Sequence, residues 1–351
     1  MLVLFLLPCG VLPTGAAPAN LDDAADAVDQ NIVLGDNSFS GRSRADISSR
    51  WFASKPTSDG SPYITQPSWQ IPYAAGAITA QYQEDALNMV NYMRYLAGLP
   101  DDVVINDEWI ELTQHGAVLL KAYGYLSHTP PKPADMPDDF YKFAYKACSS
   151  NNIAYGYSKV GSVIYPLSAA DSVKMYMNDL DISEKVVGHR RWILNPAMKQ
   201  TAFGWCESFS TMYAFDKSRN PQVGFDSIAW PPTGQFPLQL CPSKLPWSIT
   251  LNSKLFTPTG QETVTMTRLG DNKTWEFSAN AIPVDGMFTV DLKNYGVPYC
   301  IVFRPETSLQ YASEDTFKIT VSGLKKNGAA ASISYTTTLF DLPEMQVALK
   351  K

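Results

Sequence analysis

The feature that most restricts how this chain can fold is a change of periodicity at Trp230-Pro231-Pro232-Thr233-Gly234. Upstream of it, apolar residues recur at the three-and-four spacing that lines one helix face. Downstream they alternate with polar residues, as along a half-buried strand. One pattern cannot serve both element types, so differently built units are expected on either side. At 351 residues the chain also exceeds what a single ordinary core holds.

In residues 84–97, Ala86, Met89, Val90, Met93, Leu96 and Ala97 share one helix face, and Glu84 and Asp85 fall in the first turn. Gly98-Leu99-Pro100 stops that helix. A second helix is read over 106–123, with Trp109, Leu112, Gly116, Leu119 and Tyr123 inward and Gly116 open to a close neighbour. A Pro/Asp-rich loop follows through 140–147. The third helix starts behind Ser168, with Asp171 as an approximate capping box, and ends near Asp179. Segments 202–206 and 211–215 are spaced as a hairpin. Residues 20–80 read as a polar arm wrapping the next domain, with a short helix near 21–28.

Beyond the break, strands are expected at 247–251, 263–268, 274–279, 287–291, 299–303, 316–322 and 331–338. Turn signals such as Val284-Asp285-Gly286 and Lys326-Asn327-Gly328 separate them. That spacing implies a β-sandwich of immunoglobulin-like type. Trp247 and Trp275 are either its core or a carbohydrate-binding platform.

The first thirteen residues form an apolar run broken by Pro8 and Pro13, too short to span a bilayer. With small residues at Ala17-Pro18-Ala19, they suit a signal peptide over 1–19, although its basic start is missing. The mature chain is therefore expected outside the cell or at its surface, with no transmembrane anchor. A net charge of −6 and no Lys/Arg stripe argue against a nucleic-acid partner. Cys148, Cys206, Cys241 and Cys300 remain, an even count that permits two disulfides or four buried thiols.

Only three histidines occur: His115, His128 and His189. His115, on the second helix, reads as a structural group. His128 sits in Ser127-His128-Thr129-Pro130-Pro131. His189 opens Gly188-His189-Arg190-Arg191, ahead of an apolar run that reads as a strand closed by Pro196. At a strand mouth it could point into a cleft. Arg190 and Arg191 either meet an anionic ligand or bridge acids such as Asp181 and Glu184.

These pieces, in this order, resemble the CAP superfamily of cysteine-rich secretory, antigen 5 and pathogenesis-related proteins, its bacterial secreted members most of all. The matching stretches are residues 88–99 (family N-x-x-R-x-x-x-G-L), the 112–120 helix, His128, Asn152-Ile153-Ala154-Tyr155-Gly156, Tyr176-x-x-Asp179, Gly188-His189-Arg190 and Phe203-Gly204-Trp205-Cys206. The resemblance covers about 82–215. It implies an α+β fold: a three-layer α-β-α CAP sandwich with a small antiparallel sheet over 81–230, followed by the all-β immunoglobulin-like sandwich over 236–345. It also implies a cavity holding His128, His189 and Asp179, lined by Asn151 and Tyr176. Asn151 stands where the family carries its first acid, and Asp179 is shorter than the usual Glu. An amide neither takes nor gives a proton at neutral pH.

Three functions follow from this reading. The first is a secreted binding protein that takes an apolar ligand, a cell-wall or lipid component, or a partner protein, with no cofactor required. The second is a metal-dependent peptidase or esterase, with His128 and His189 holding zinc or another divalent metal and Asp179 as third ligand or base. The third is a structural or adhesion protein of the cell surface.

Overall fold

Side-chain caps set where the helices begin. Ser43, Thr79 and Asn106 each take extended backbone and accept a first-turn backbone N–H. They open α1 (Arg44–Ala53), α2 (Ala80–Leu96) and α3 (Asp107–Tyr123). Then α4 (Asp138–Ser150) starts behind Pro137 without a side-chain cap, and Ser168 opens α5 (Ala169–Asn178). The last helix, α6 (Gly188–Ile193), is short. The computed structural model describes residues 40–58, 60–160, 163–180 and 185–343. The expected signal peptide and the short helix near 21–28 lie outside the described residues. Among those described, the chain is mixed α/β, with six helices and strands in several separate sheets, none closed into a barrel.

Three helical expectations change. The first helix of the 84–97 stretch begins four residues earlier, because Thr79 caps it. This takes Asp85 out of the first turn, and its carboxylate instead accepts the backbone N–H groups of Thr57 and Ser58, tethering the arm. A helix, α4, replaces the loop expected over 140–147. Its prolines all precede it, and Phe140, Ala144, Ala147 and Cys148 recur at helical spacing against α3. The strand expected after His189 is also a helix, α6, discussed below.

The strands of the first half are β1 (Tyr63–Thr65), β2 (Ala77–Ile78), β3 (Val104–Ile105), β4 (Asn151–Tyr155), β5 (Tyr157–Val160), β6 (Val163–Pro166), β7 (Gln200–Thr201), β8 (Phe203–Cys206) and β9 (Phe209–Tyr213). Its main sheet is antiparallel, in the order β4-β9-β8. Helices cover both faces. Ile153 joins Leu119, Leu120, Ala144 and Cys148 of α3 and α4, whereas neighbouring Ala154 joins the cluster built on α2 and α5. Close approach is written into two glycines: a methyl on Gly116 would lie 2.7 Å from Ala147 Cβ, and one on Gly204 would lie 2.2 Å from the Thr113 carbonyl oxygen.

The second half contains β10 (Ser227–Trp230), β11 (Gly234–Pro237), β12 (Trp247–Leu251), β13 (Phe256–Thr257), β14 (Thr263–Arg268), β15 (Lys273–Ser278), β16 (Met287–Asp291), β17 (Cys300–Arg304), β18 (Thr316–Lys326) and β19 (Ala329–Phe340). One sheet runs β10-β12-β17-β16. The other runs β11-β19-β18-β14-β15, with β13 on β18. Their inner faces meet through rings such as Trp247 and Phe317, 5.6 Å apart, and Phe277 and Phe303, 5.4 Å apart. Trp247 and Trp275 are both buried, which removes the carbohydrate-platform reading for that pair. The four cysteines are buried free thiols, so neither permitted disulfide forms.

The halves are not separated by a linker. Strand β10 precedes Pro231 yet pairs with β12, so the second half's sheet starts at Ser227. One continuous hydrophobic cluster runs from Ile47 and Tyr82 through Trp230 to Phe340. The arm touches both sides. Trp51 packs on Tyr92 of α2, Arg44 bridges Glu314 at 2.7 Å, and Gly41 lies against Gly234. No helix among the described residues is long and apolar enough to cross a membrane.

Candidate functional site

His189 is the second residue of α6, and the helix is held at both ends. At its start Val187 is in the left-handed region, with φ 44°. A β-branched residue there stores on the order of 1–3 kcal/mol and persists only when its surroundings over-determine it. Val187 is fully buried against Met287, Cys300 and Val302 of the second half, and its carbonyl accepts the Arg191 N–H. At the other end, Arg94 Nη1 donates to the carbonyls of Ile193 and Asn195, each at 2.8 Å, satisfying groups a helix end leaves open. Burial, with Arg219 acting in the same sense, brings the Arg94 guanidinium down to about 9.

Asp179 ends α5 in the left-handed conformation that Asp tolerates better than most residues. Its Oδ1 accepts His189 Nδ1–H at 2.8 Å, and its Oδ2 accepts the Arg190 backbone N–H at 3.2 Å. The carboxylate is wholly buried, while the imidazole retains 12% exposure. One turn earlier on α5, Tyr176 stacks on the imidazole with centroids 5.3 Å apart, and burial raises its phenol pKa. The Tyr176 hydroxyl lies 3.2 Å from the Asn152 carbonyl, and Asn152 Nδ2 donates to the His189 carbonyl at 3.1 Å. Asp179 and Tyr176 thus both lie in contact with His189.

His128 is held at the end of α4. Its Nδ1 lies 2.6 Å from the Cys148 carbonyl, which can only accept, so Nδ1 carries the proton. Both histidines are therefore tied to the junction of α4 and β4, at Cys148 and Asn152. Asn151 lies between these anchors, fully buried, with its Nδ2 lacking a hydrogen-bond partner. Strand alternation places Asn151 on the face of Ile153, toward α3 and α4, whereas Asn152 turns to His189. No group of three or more His, Cys, Asp or Glu side chains among the described residues is arranged to hold a metal ion. The three-ligand zinc arrangement that the hydrolase alternative would use, His128 and His189 with Asp179, is therefore not found among them. Two surface depressions, one between α1 and the end of β19 and one between residues 75–77 and the start of α3, are lined by neither histidine.

The arginines beside His189 bind protein, not an anionic ligand. Arg190 is buried and donates to the carbonyls of Met177, Asn178 and Pro246 and to Ser248 Oγ. Burial brings its pKa down to about 10, with Asp179 opposing that shift. Arg191 meets Asp291 at 2.5 Å and the carbonyls of Lys293 and Val297. The acids expected as partners, Asp181 and Glu184, lie outside the described residues. His115 has the structural role read for it: Nδ1 contacts the Glu111 carbonyl and the ring packs on Phe140 and Phe143.

Sequence reasoning missed Arg94 and Asn152 as supports of the site. Arg94 left a signal, since it is the one cation on α2 and follows Met93 and Val90 of its apolar face, where a buried cation needs carbonyl partners. Asn152 left none that distinguishes it from Asn151. Chemically, the Asp179 carboxylate fixes the imidazole with Nδ1–H turned inward, so a neutral His189 carries its lone pair on Nε2. Compared with protein-family models, with curated proteins and with solved structures, the chain matches none.

Proposed function

We propose that this chain is a secreted, CAP-type binding protein: an α-β-α body with a small antiparallel sheet, followed by an immunoglobulin-like sandwich. Its ligand site is the region around His189, Asp179 and Tyr176, and it takes a cell-wall component without chemical turnover. The observation that carries this reading is the donor set. One imidazole–carboxylate pair is oriented, and Asn151, the position where the resemblance puts a second acid, is a buried amide that supplies no titratable group for acid–base work. Helices on both faces of β4-β9-β8, and two facing sheets beyond Ser227, support the fold assignment. The test is co-sedimentation with insoluble peptidoglycan in the presence of a chelator. Wild type is expected to pellet, and His189→Ala to pellet several-fold less. Equal retention of both proteins, or of neither, contradicts the proposal.

A second reading, hydrolysis, is favoured by one observation: a buried carboxylate orienting an imidazole is how a general base is set up. Turnover of a model ester or peptide that His189→Ala abolishes would place this reading first.

A further inference from the structure

The His189–Asp179 pair has a foundation in the half of the chain that does not contain it. Arg190 makes the connection. Its backbone N–H is bonded to Asp179 Oδ2, while its Nε and Nη2 donate to the carbonyls of Met177 and Asn178, the two residues that lead into Asp179. Its remaining donor, Nη1, crosses to β12 and donates to the Pro246 carbonyl at 2.7 Å and Ser248 Oγ at 2.9 Å. Arg190 is 1% exposed and Ser248 3%, so these bonds are shielded from competing water. None of the guanidinium's four acceptors is a carboxylate. The guanidinium is therefore placed by direction, its planar fork matched to fixed carbonyls, and any movement of β12 is passed to the end of α5. Val187 adds a second link, because the residue that starts α6 is packed among Met287, Cys300 and Val302.

We infer that Arg190 is a positioning residue that fastens the His189–Asp179 pair to β12, with Ser248 as its distal anchor, so that the second half is a working part of the site. This rests on the proposed function only in giving the pair a role; the geometry itself can be tested without any ligand.

The experiment follows the His189 Nδ1–H proton by NMR in the full chain, assigned by its loss in His189→Gln. In Ser248→Ala the resonance should shift and its exchange with water quicken about tenfold, as expected when a local opening becomes easier by one hydrogen bond. Arg190→Met should lose the resonance, and Arg190→Lys should restore it in part. Asn106→Ala, which weakens the cap of α3 and removes no bond to Arg190 or Ser248, controls for general loss of stability and should leave the signal in place. An unchanged resonance in Ser248→Ala, or an equal change in Asn106→Ala, would overturn the inference. Should Arg190→Met fail to fold, the comparison of Ser248→Ala with Asn106→Ala still decides. If peptidoglycan retention fails while the resonance responds as described, the functional reading falls and the positioning role stands.

Discussion

A methyl group on Gly204 would lie 2.2 Å from the Thr113 carbonyl oxygen and 2.6 Å from the Gln114 nitrogen, both backbone atoms of α3 that cannot swing aside. Gly204→Ala should therefore force β8 away from α3 and destabilise the chain by at least the roughly 1–3 kcal/mol of an overpacked core. A denaturant midpoint shifted down at unchanged slope would show it. A different residue-scale cost applies to Arg191, whose side chain is 1% exposed and whose carboxylate partner among the described residues is Asp291 at 9%. Asp291→Ala leaves a buried cation short of its counter-charge. The expected loss is about 3–5 kcal/mol, the range seen when one member of a buried pair is removed. Asp102 allows a pH test. Its hydrogen bond to Arg219, then that to Lys199, hold its carboxyl below the usual range. A depressed folded pKa contributes stability that is present above about pH 4, the unfolded value, and is lost as pH falls through the folded one. Wild type should exceed Asp102→Asn in stability near neutrality, and acid titration of both should show the gap closing below about pH 4.

At the scale of elements, what was legible follows from which signals are local. Caps and alternation are local. Ser168 with Asp171, and the bounds of β12, β14 and β16, were read from neighbouring residues alone. Asn106 accepts the Glu108 N–H at the start of α3, and Asn106→Ala should cost about 1 kcal/mol, measurable as a lowered melting temperature. Helices α4 and α6 were illegible for different reasons. In α4, the prolines and aspartates that suggest a loop all lie before or in the first turn, where a helix accepts them. In α6, helix and strand are indistinguishable over six residues, and Arg94, nearly a hundred positions earlier, supplies the carbonyl contacts that decide. The site divided the same way. Tyr176 and Asp179 sit one turn apart on α5, and the resemblance marked them. The partners of Arg190 and Arg191 come from 56 and 100 residues away, beyond any local pattern.

At the scale of the molecule, the change of periodicity at Trp230 separates two kinds of element without separating two bodies. Strand β10 belongs to the second half's sheet, the arm packs on both halves, and α6 sends both its arginines across. A fragment beginning at Phe236 would lack β10 and the first half of β11 and leave β12 with an open edge. The claim on which this account turns is that the helix carrying His189 is held by both halves at once. Scanning calorimetry of the full chain tests it most directly. One transition, with calorimetric and van't Hoff enthalpies in agreement, is the predicted result, and Asp291→Ala should lower that single transition as a whole. Two resolved transitions in the wild type, with Asp291→Ala lowering only one of them, would contradict it.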